Sequence, residues 1–165
     1  GPKGLPEVMG CGSTGDAYHM TAPEPSGEGV ARAMRQALEE GGFTPDDLGH
    51  LNAHGTGTPA NDATESKALL ALCGEEAGSR IPVTSVKGTT GHTLGAAGAI
   101  EAIVTALSVM NDCVPPTAGF AEADPECPVS VVIEAKTGYP QKVALSNSLG
   151  FGGHHASLAV SPYRA

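Results

Sequence analysis

Residues Ala97 to Met110 constrain the fold more than any other part of this chain. The segment runs Ala-Gly-Ala-Ile-Glu-Ala-Ile-Val-Thr-Ala-Leu-Ser-Val-Met and is apolar on nearly every side at helical spacing. A helix apolar all round needs cover all round, so it is expected as a buried element at the centre of a layered protein. Its purest apolar part, Ala102 to Met110, is broken by Thr105 and Ser108 and is far too short to span a bilayer. Just before and at its start stand Gly95, Ala96, Ala97, Gly98 and Ala99, small enough to let another backbone approach.

Around this segment, strand and helix patterns alternate. Glu7 to Ser13 reads as a strand, and residues 14–27, with Pro23 and Pro25, read as a loop. Glu28 to Gly41 places Val30, Ala33, Met34, Ala37 and Leu38 on one helical face and stops at Gly41-Gly42. Leu48 to Ala53 is a strand ending at His54, and Asn61 or Asp62 is expected to cap a helix reaching about Cys73. Further strands are expected at Ile81 to Val86, Val129 to Ile133, Val143 to Asn147 and Ala156 to Val160, the last two as a hairpin-like pair. The pattern predicts one layered α/β or α+β domain over residues 1–165, with a mixed sheet and no internal linker or repeat. A chain of 165 residues buries about two thirds of its unfolded surface, so neither disulfide nor metal is needed to hold it.

Composition narrows the function. Eighteen acidic residues against nine Lys+Arg give a formal charge of −9, which disfavours nucleic acid and anionic membrane as partners. Aromatics at 4% with no tryptophan offer no base-stacking surface. Cys11, Cys73, Cys113 and Cys127 show no metal-ligand spacing and read as reduced thiols, consistent with a cytoplasmic protein. The opening Gly1-Pro2-Lys3 has no initiator methionine or signal-peptide pattern and resembles the remnant of a cleaved tag.

Several motifs are set aside on physical grounds. Gly10 to Gly15 fits GxGxxG, yet Pro23 and Pro25 follow where the phosphate-binding helix must begin; a tight loop is the expected structure. His50 and His54 lie four apart on a strand, which spaces them too widely to share a ligand as they would on a helix, and the adjacent His154 and His155 point to opposite faces. No metal site is expected. Ser148, in Ser146-Asn-Ser-Leu-Gly150, lacks the first glycine of a nucleophile elbow.

Three segments remain: Asn52-Ala-His54-Gly-Thr56-Gly-Thr58-Pro, Lys87-Gly-Thr-Thr-Gly-His92-Thr-Leu-Gly-Ala-Ala-Gly98 and Asn147-Ser-Leu-Gly-Phe151-Gly-Gly153. Each puts polar groups where a strand or turn ends, the usual address of sites in α/β folds. Together with Asp16-Ala-Tyr-His-Met-Thr21 and Val114-Pro-Pro-Thr117, they closely resemble the C-terminal half of the elongating β-ketoacyl-acyl carrier protein synthases. The resemblance extends from about Glu7 to Val160.

That resemblance implies a thiolase-like fold, in which this chain is one half of a duplicated αβαβα arrangement with a five-stranded mixed sheet. It implies an acyltransferase of fatty acid or polyketide synthesis performing decarboxylative condensation of malonyl-acyl carrier protein with an acyl thioester. His54 and His92 match the family's two catalytic histidines, and Lys87 the lysine that supports the second, with Glu101 as its buried partner. Phe151 matches an oxyanion-hole amide and acyl gate, and Thr56 and Thr58 the hydroxyls holding the phosphopantetheine arm. Acyl carrier protein, an N-terminal ketosynthase half and a homodimer of the full enzyme are the implied partners; no cofactor beyond the carried phosphopantetheine is implied. The family's nucleophilic cysteine belongs to that other half, so the chain is expected to be inactive alone. Leu149 and His154-His155 depart from the residues common in relatives. The alternative is a non-catalytic scaffold or chain-length-type half that pairs with a catalytic partner; a degradative thiolase fits less well, since no cysteine follows Cys127. The geometry expected is His54, His92 and the Phe151 amide converging on one cavity, with Lys87 behind His92.

Overall fold

The computed structural model describes residues 4–163, and the tag-like Gly1-Pro2-Lys3 lies outside them. In chain order, β1 (Glu7–Gly15) leads to α1 (Glu28–Glu40), β2 (Leu48–Asn52), α2 (Pro59–Cys73) and the single turn α3 (Glu75–Gly78). Then follow β3 (Pro82–Thr84), the short α4 (Lys87–Thr90), α5 (Ala97–Met110) and β4 (Cys113–Val114). The chain ends with β5 (Ser130–Val131), β6 (Lys136–Thr137), β7 (Val143–Gly150) and β8 (His154–Ser161). Six strands form a mixed sheet in the order β1-β8-β7-β2-β3-β5, and β4 pairs with β6 separately. The sheet has one strand more than the five expected, because β1 adds antiparallel to β8 along its whole length.

Glycine makes that addition possible. A Cβ at Gly10 would lie 2.1 Å from the Ala37 carbonyl oxygen, and one at Gly12 only 1.8 Å from that of Ala33. These glycines are therefore residues of the strand read over Glu7 to Ser13, with α1 packed over them, and the motif Gly10 to Gly15 is not the tight loop expected of it. The apolar stripe of α1 behaves as its spacing predicts: Val30, Ala33, Met34, Ala37 and Leu38 are all buried. Val30, Met34, Ala37 and Leu38 meet Leu51, Leu69 and Leu145 in a dry core on one side of the sheet. α2 begins earlier than expected, with Pro59 in its first turn, where a missing N–H costs nothing. Asp62 does not cap the helix but accepts the Gly57 amide at 3.3 Å.

The other face differs. β2 alternates, so Leu51 joins the dry core while His50 and Asn52 face α5. α5 spans the predicted residues, but it is not enclosed: its buried positions are Ala97, Glu101, Thr105, Ser108 and Val109, while Ile103 is 61% and Leu107 48% exposed. The reason lies beneath it. Asn52 Nδ2 donates to the Glu101 carbonyl and to Thr105 Oγ1, each at 3.0 Å, so the helix turns its few polar groups inward and its apolar stripe outward.

Candidate active site

At the end of β2 the chain leaves the sheet through Ala53, whose amide donates to the Thr84 carbonyl at 2.8 Å. The next two amides converge on one carboxylate: His54 N–H donates to Glu65 Oε1 at 2.8 Å and Gly55 N–H to Oε2 at 2.7 Å. Asn61 and Asn147 also donate to it, at 3.0 and 3.4 Å. Burial pushes the Glu65 carboxyl up, and these four donors pull it down. Glu65 was not legible as a site residue, since a glutamate within a helix ordinarily faces water. Gly55, at φ +47, lets the strand end turn sharply over it.

α4 starts at Lys87 and closes at Gly91, whose φ of +68 redirects the chain and delivers His92. The His54 and His92 rings meet edge to face, with centroids 5.3 Å apart. His92 Nδ1 accepts the Leu94 amide at 3.1 Å. His54 Nδ1 lies 3.2 Å from Lys87 Nζ, an ammonium that only donates. Both Nδ1 atoms are thus acceptors, and these partners assign the ring proton of each histidine to Nε2. Burial, then the charge of Lys87, pushes His54 down to about 4, so it is neutral at neutral pH.

Lys87 Nζ also donates to the His54 carbonyl at 2.5 Å and forms a buried ion pair with Glu101. The expected Glu101 partnership is present; burial pushes its carboxyl up and Lys87 draws it down. The lysine, however, stands behind His54 rather than His92. It lies before the Gly91 turn and reaches back under the end of β2, whereas His92 lies after it and is held by Leu94.

The remaining predicted residues occupy the surroundings. Thr56 and Thr58 share a hydrogen bond at 2.9 Å. A cavity of about 940 Å³ opens beside Thr56, Lys87 and His92 and runs back toward Leu69, Val83 and Cys127. Phe151 stands 78% exposed on the β7–β8 turn and is not part of that lining. The structure therefore joins the histidine pair and the Lys87–Glu101 pair, but of the three groups expected to converge on one cavity only His92 lines it; His54 sits beside it at the end of β2, and Phe151 lies outside, on the turn ending a strand next to β2. The end of β7 does lie against the start of α5: a Cβ on Gly98 would be 3.1 Å from Ser148 Oγ. Among the described residues, no cluster of three or more His, Cys, Asp or Glu side chains could hold a metal ion.

Two neighbouring imidazoles, each with its proton on Nε2, can together stabilise one developing oxyanion, as fixed donors do in acyl-transfer sites. Known proteins share this chain's pattern. Residues 5–121 match the family described as "Beta-ketoacyl synthase, C-terminal domain". A 3-oxoacyl-[acyl-carrier-protein] synthase 2 of Staphylococcus aureus (strain COL) is 48% identical over 159 residues, 96% of this chain and 38% of that protein. A structure of a type II polyketide acyl-carrier protein in complex with its ketosynthase bound to the hexaketide superposes with a TM-score of 0.90 at 35% identity, over 96% of this chain and 39% of that one. The ishigamide ketosynthase/chain length factor superposes at 0.88 and 37% identity, over 95% and 38%. The chain thus spans about 38% of the length of the curated relative it matches.

Proposed function

Because the chain belongs to the C-terminal domain family of the β-ketoacyl synthases, we propose that it supplies the decarboxylating half of a condensing enzyme acting on malonyl-acyl carrier protein. The observation that carries this reading is the histidine pair, with both Nδ1 atoms occupied and both Nε2–H groups left to donate.

The malonyl thioester oxygen accepts from His54 and His92. As the carbon–carboxylate bond breaks, its electron pair becomes the enolate and carbon dioxide leaves. Charge builds on the oxygen facing the two N–H groups, where fixed donors act most strongly. The enolate carbon then attacks an acyl thioester on the cysteine of the N-terminal half, and the thiolate departs. Lys87 keeps His54 in its donating tautomer, and Glu101 makes a buried ammonium tolerable there. Thr56 and Thr58 would hold the phosphopantetheine arm, and the Phe151 amide and ring would serve the acyl carbonyl and chain once the turn closes on the site. Ile103 and Leu107, exposed here, would pack against the N-terminal half in the complete protein. The complete enzyme would be a cytoplasmic homodimer needing no further cofactor, and the isolated chain would not condense.

The chain-length-type alternative gains no support from the site, since His54, His92 and Lys87 are all present and mutually engaged. The test is carbon dioxide release from malonyl-acyl carrier protein by the intact enzyme. The unaltered protein should release it and go on to condense. An intact, folded protein that neither decarboxylates nor condenses would overturn the reading.

A further inference from the structure

Among the described residues, the six-stranded sheet ends on one side in β5, only Ser130–Val131 long, and on the other in β1, nine residues long and paired with β8 alone. A long open edge strand holds N–H and C=O groups at the spacing another strand would bind. Backbone groups alternate in direction, so every second residue turns its amide and carbonyl away from β8. In β1 these residues are Cys11, Ser13 and Gly15, and side chains of α1 reach them. Cys11 N–H donates to Glu40 Oε2 at 2.6 Å and Ser13 N–H to Gln36 Oε1 at 3.2 Å. The Gly15 carbonyl accepts from Arg32 Nη2 at 3.5 Å, a longer and weaker contact.

Arg32, Gln36 and Glu40 follow one another at intervals of four and so share one stripe of the helix. Four helical residues advance about 6 Å and two strand residues about 6.6–6.8 Å. A helix lying antiparallel to the strand therefore stays in step with it over three such pairs. The neighbouring stripe fixes that alignment. A Cβ on Gly10 would strike the Ala37 carbonyl oxygen and one on Gly12 that of Ala33, while the Thr14 hydroxyl donates to the Gly29 carbonyl at 2.6 Å. The two glycines bring α1 close enough for its side chains to reach round the edge. Earlier in β1, the register shifts between Val8 and Gly10, an irregularity that itself spoils an edge for further pairing.

We propose that Gln36 and Glu40, with Arg32 at longer range, form an edge cap that occupies the outward hydrogen-bonding groups of β1 and so keeps a second copy of this chain from pairing with it. All three side chains belong to exposed residues, so burial does not hold them where they are; the strand's own backbone groups do. A second copy is the occupant to be kept out because two β1 edges related by a two-fold axis present each other with the same run of donors and acceptors. The cap is independent of the histidine chemistry, and the pairing it prevents would come on top of the homodimer proposed for the complete enzyme.

The experiment uses the full-length protein carrying Gln36→Ala together with Glu40→Ala, beside Glu40→Gln and Glu39→Ala as separate controls. Alanine is the better helix former, so the double variant leaves α1 intact, and unchanged amide exchange in 143–147 certifies the fold. Glu40→Gln keeps an acceptor oxygen for the Cys11 amide, and Glu39→Ala removes the same charge from the adjacent exposed position. In dilute solution the Cys11 and Ser13 amides of the double variant should exchange about fivefold faster than in the parent, the scale of one net hydrogen bond. As concentration rises, sedimentation should show the double variant alone forming species larger than the parent's, and the same two amides should slow again as the new pairing covers them. Glu40→Gln and Glu39→Ala should assemble as the parent does. Parent-like exchange in the double variant, or faster exchange with the parent's assembly state at every concentration, would overturn the cap. So would larger species in which those amides stay fast, or equal association by either control, which would make the effect one of charge.

Discussion

The two faces of the sheet are built on opposite principles. On the α1–α2 face, Met34, Leu38, Leu51, Leu69 and Leu145 are at most 1% exposed and form a dry apolar core. On the α5 face, the buried side chains include His50, Asn52, Glu101, Thr105, Ser108 and Gln141. They are linked by directed bonds: His50 Nδ1 to Gln141 Oε1 at 3.0 Å, and Gln141 Nε2 to Ser108 Oγ at 3.3 Å. Apolar packing tolerates swaps of similar volume, whereas a buried polar layer fails when one member is removed. The first face stabilises the domain. The second fixes the position of Lys87, and through it His54, at some cost in burial energy.

The largest effect should come from breaking the polar face at its ion pair. Glu101→Ala leaves Lys87 buried without its partner and should destabilise the chain by about 3–5 kcal/mol in denaturant titration. It should also free His54 from its donating orientation. Survival of both stability and decarboxylation in Glu101→Ala would remove the asymmetry between the faces. Leu69→Ala on the dry face should cost about 2–5 kcal/mol through its cavity, with no selective effect on the histidine chemistry in whatever fraction stays folded.

Acid offers a subtler probe. Burial pushes His50 from its ordinary 6.5 to about 4. The folded state keeps this imidazole neutral while the unfolded chain takes up a proton below pH 6.5. Stability should therefore be unaffected by His50 above about 6.5 and fall as the pH drops from there toward 4. The full loss is on the order of 3 kcal/mol. His54 shifts in the same direction and adds to the slope. His50→Gln should flatten part of the acid limb, measured as denaturation midpoints at pH 7 and pH 5; an unchanged slope would show that His50 is not held neutral. Smallest of all, Leu107→Ser on the outward stripe of α5 should change the stability of this chain by less than about 0.5 kcal/mol, since its side chain is half in water already. In the complete enzyme the same change should be costly if that stripe meets the other half.

Much of this was legible in the sequence, for identifiable reasons. α1 carries a clean apolar stripe and a Gly41-Gly42 stop, and it forms where the stripe says. The bounds of α5 were also legible, but not its orientation: composition says an apolar helix is enclosed, while the hydrogen-bond needs of Asn52 decide which side faces the sheet. Local pattern marked β1 as a strand, but its seat beside β8, which makes the sheet six-stranded where the resemblance implied five, is fixed by long-range pairing for which local pattern carries no signal. Within the site, His54 and His92 stand together as expected. Lys87 supports the other member of the pair because the Gly91 turn intervenes, and Glu65 is visible only once α2 packs beneath the end of β2.

The central claim is that His54 and His92 act as paired N–H donors to one oxygen. It is tested most directly by the rate of malonyl decarboxylation in the intact enzyme carrying His54→Ala, His92→Ala or both. Each single variant should lose about 10²–10³ of the parent rate, the loss expected for one oxyanion donor, with substrate binding little changed. Decarboxylation at the parent rate in either folded single variant would contradict the account.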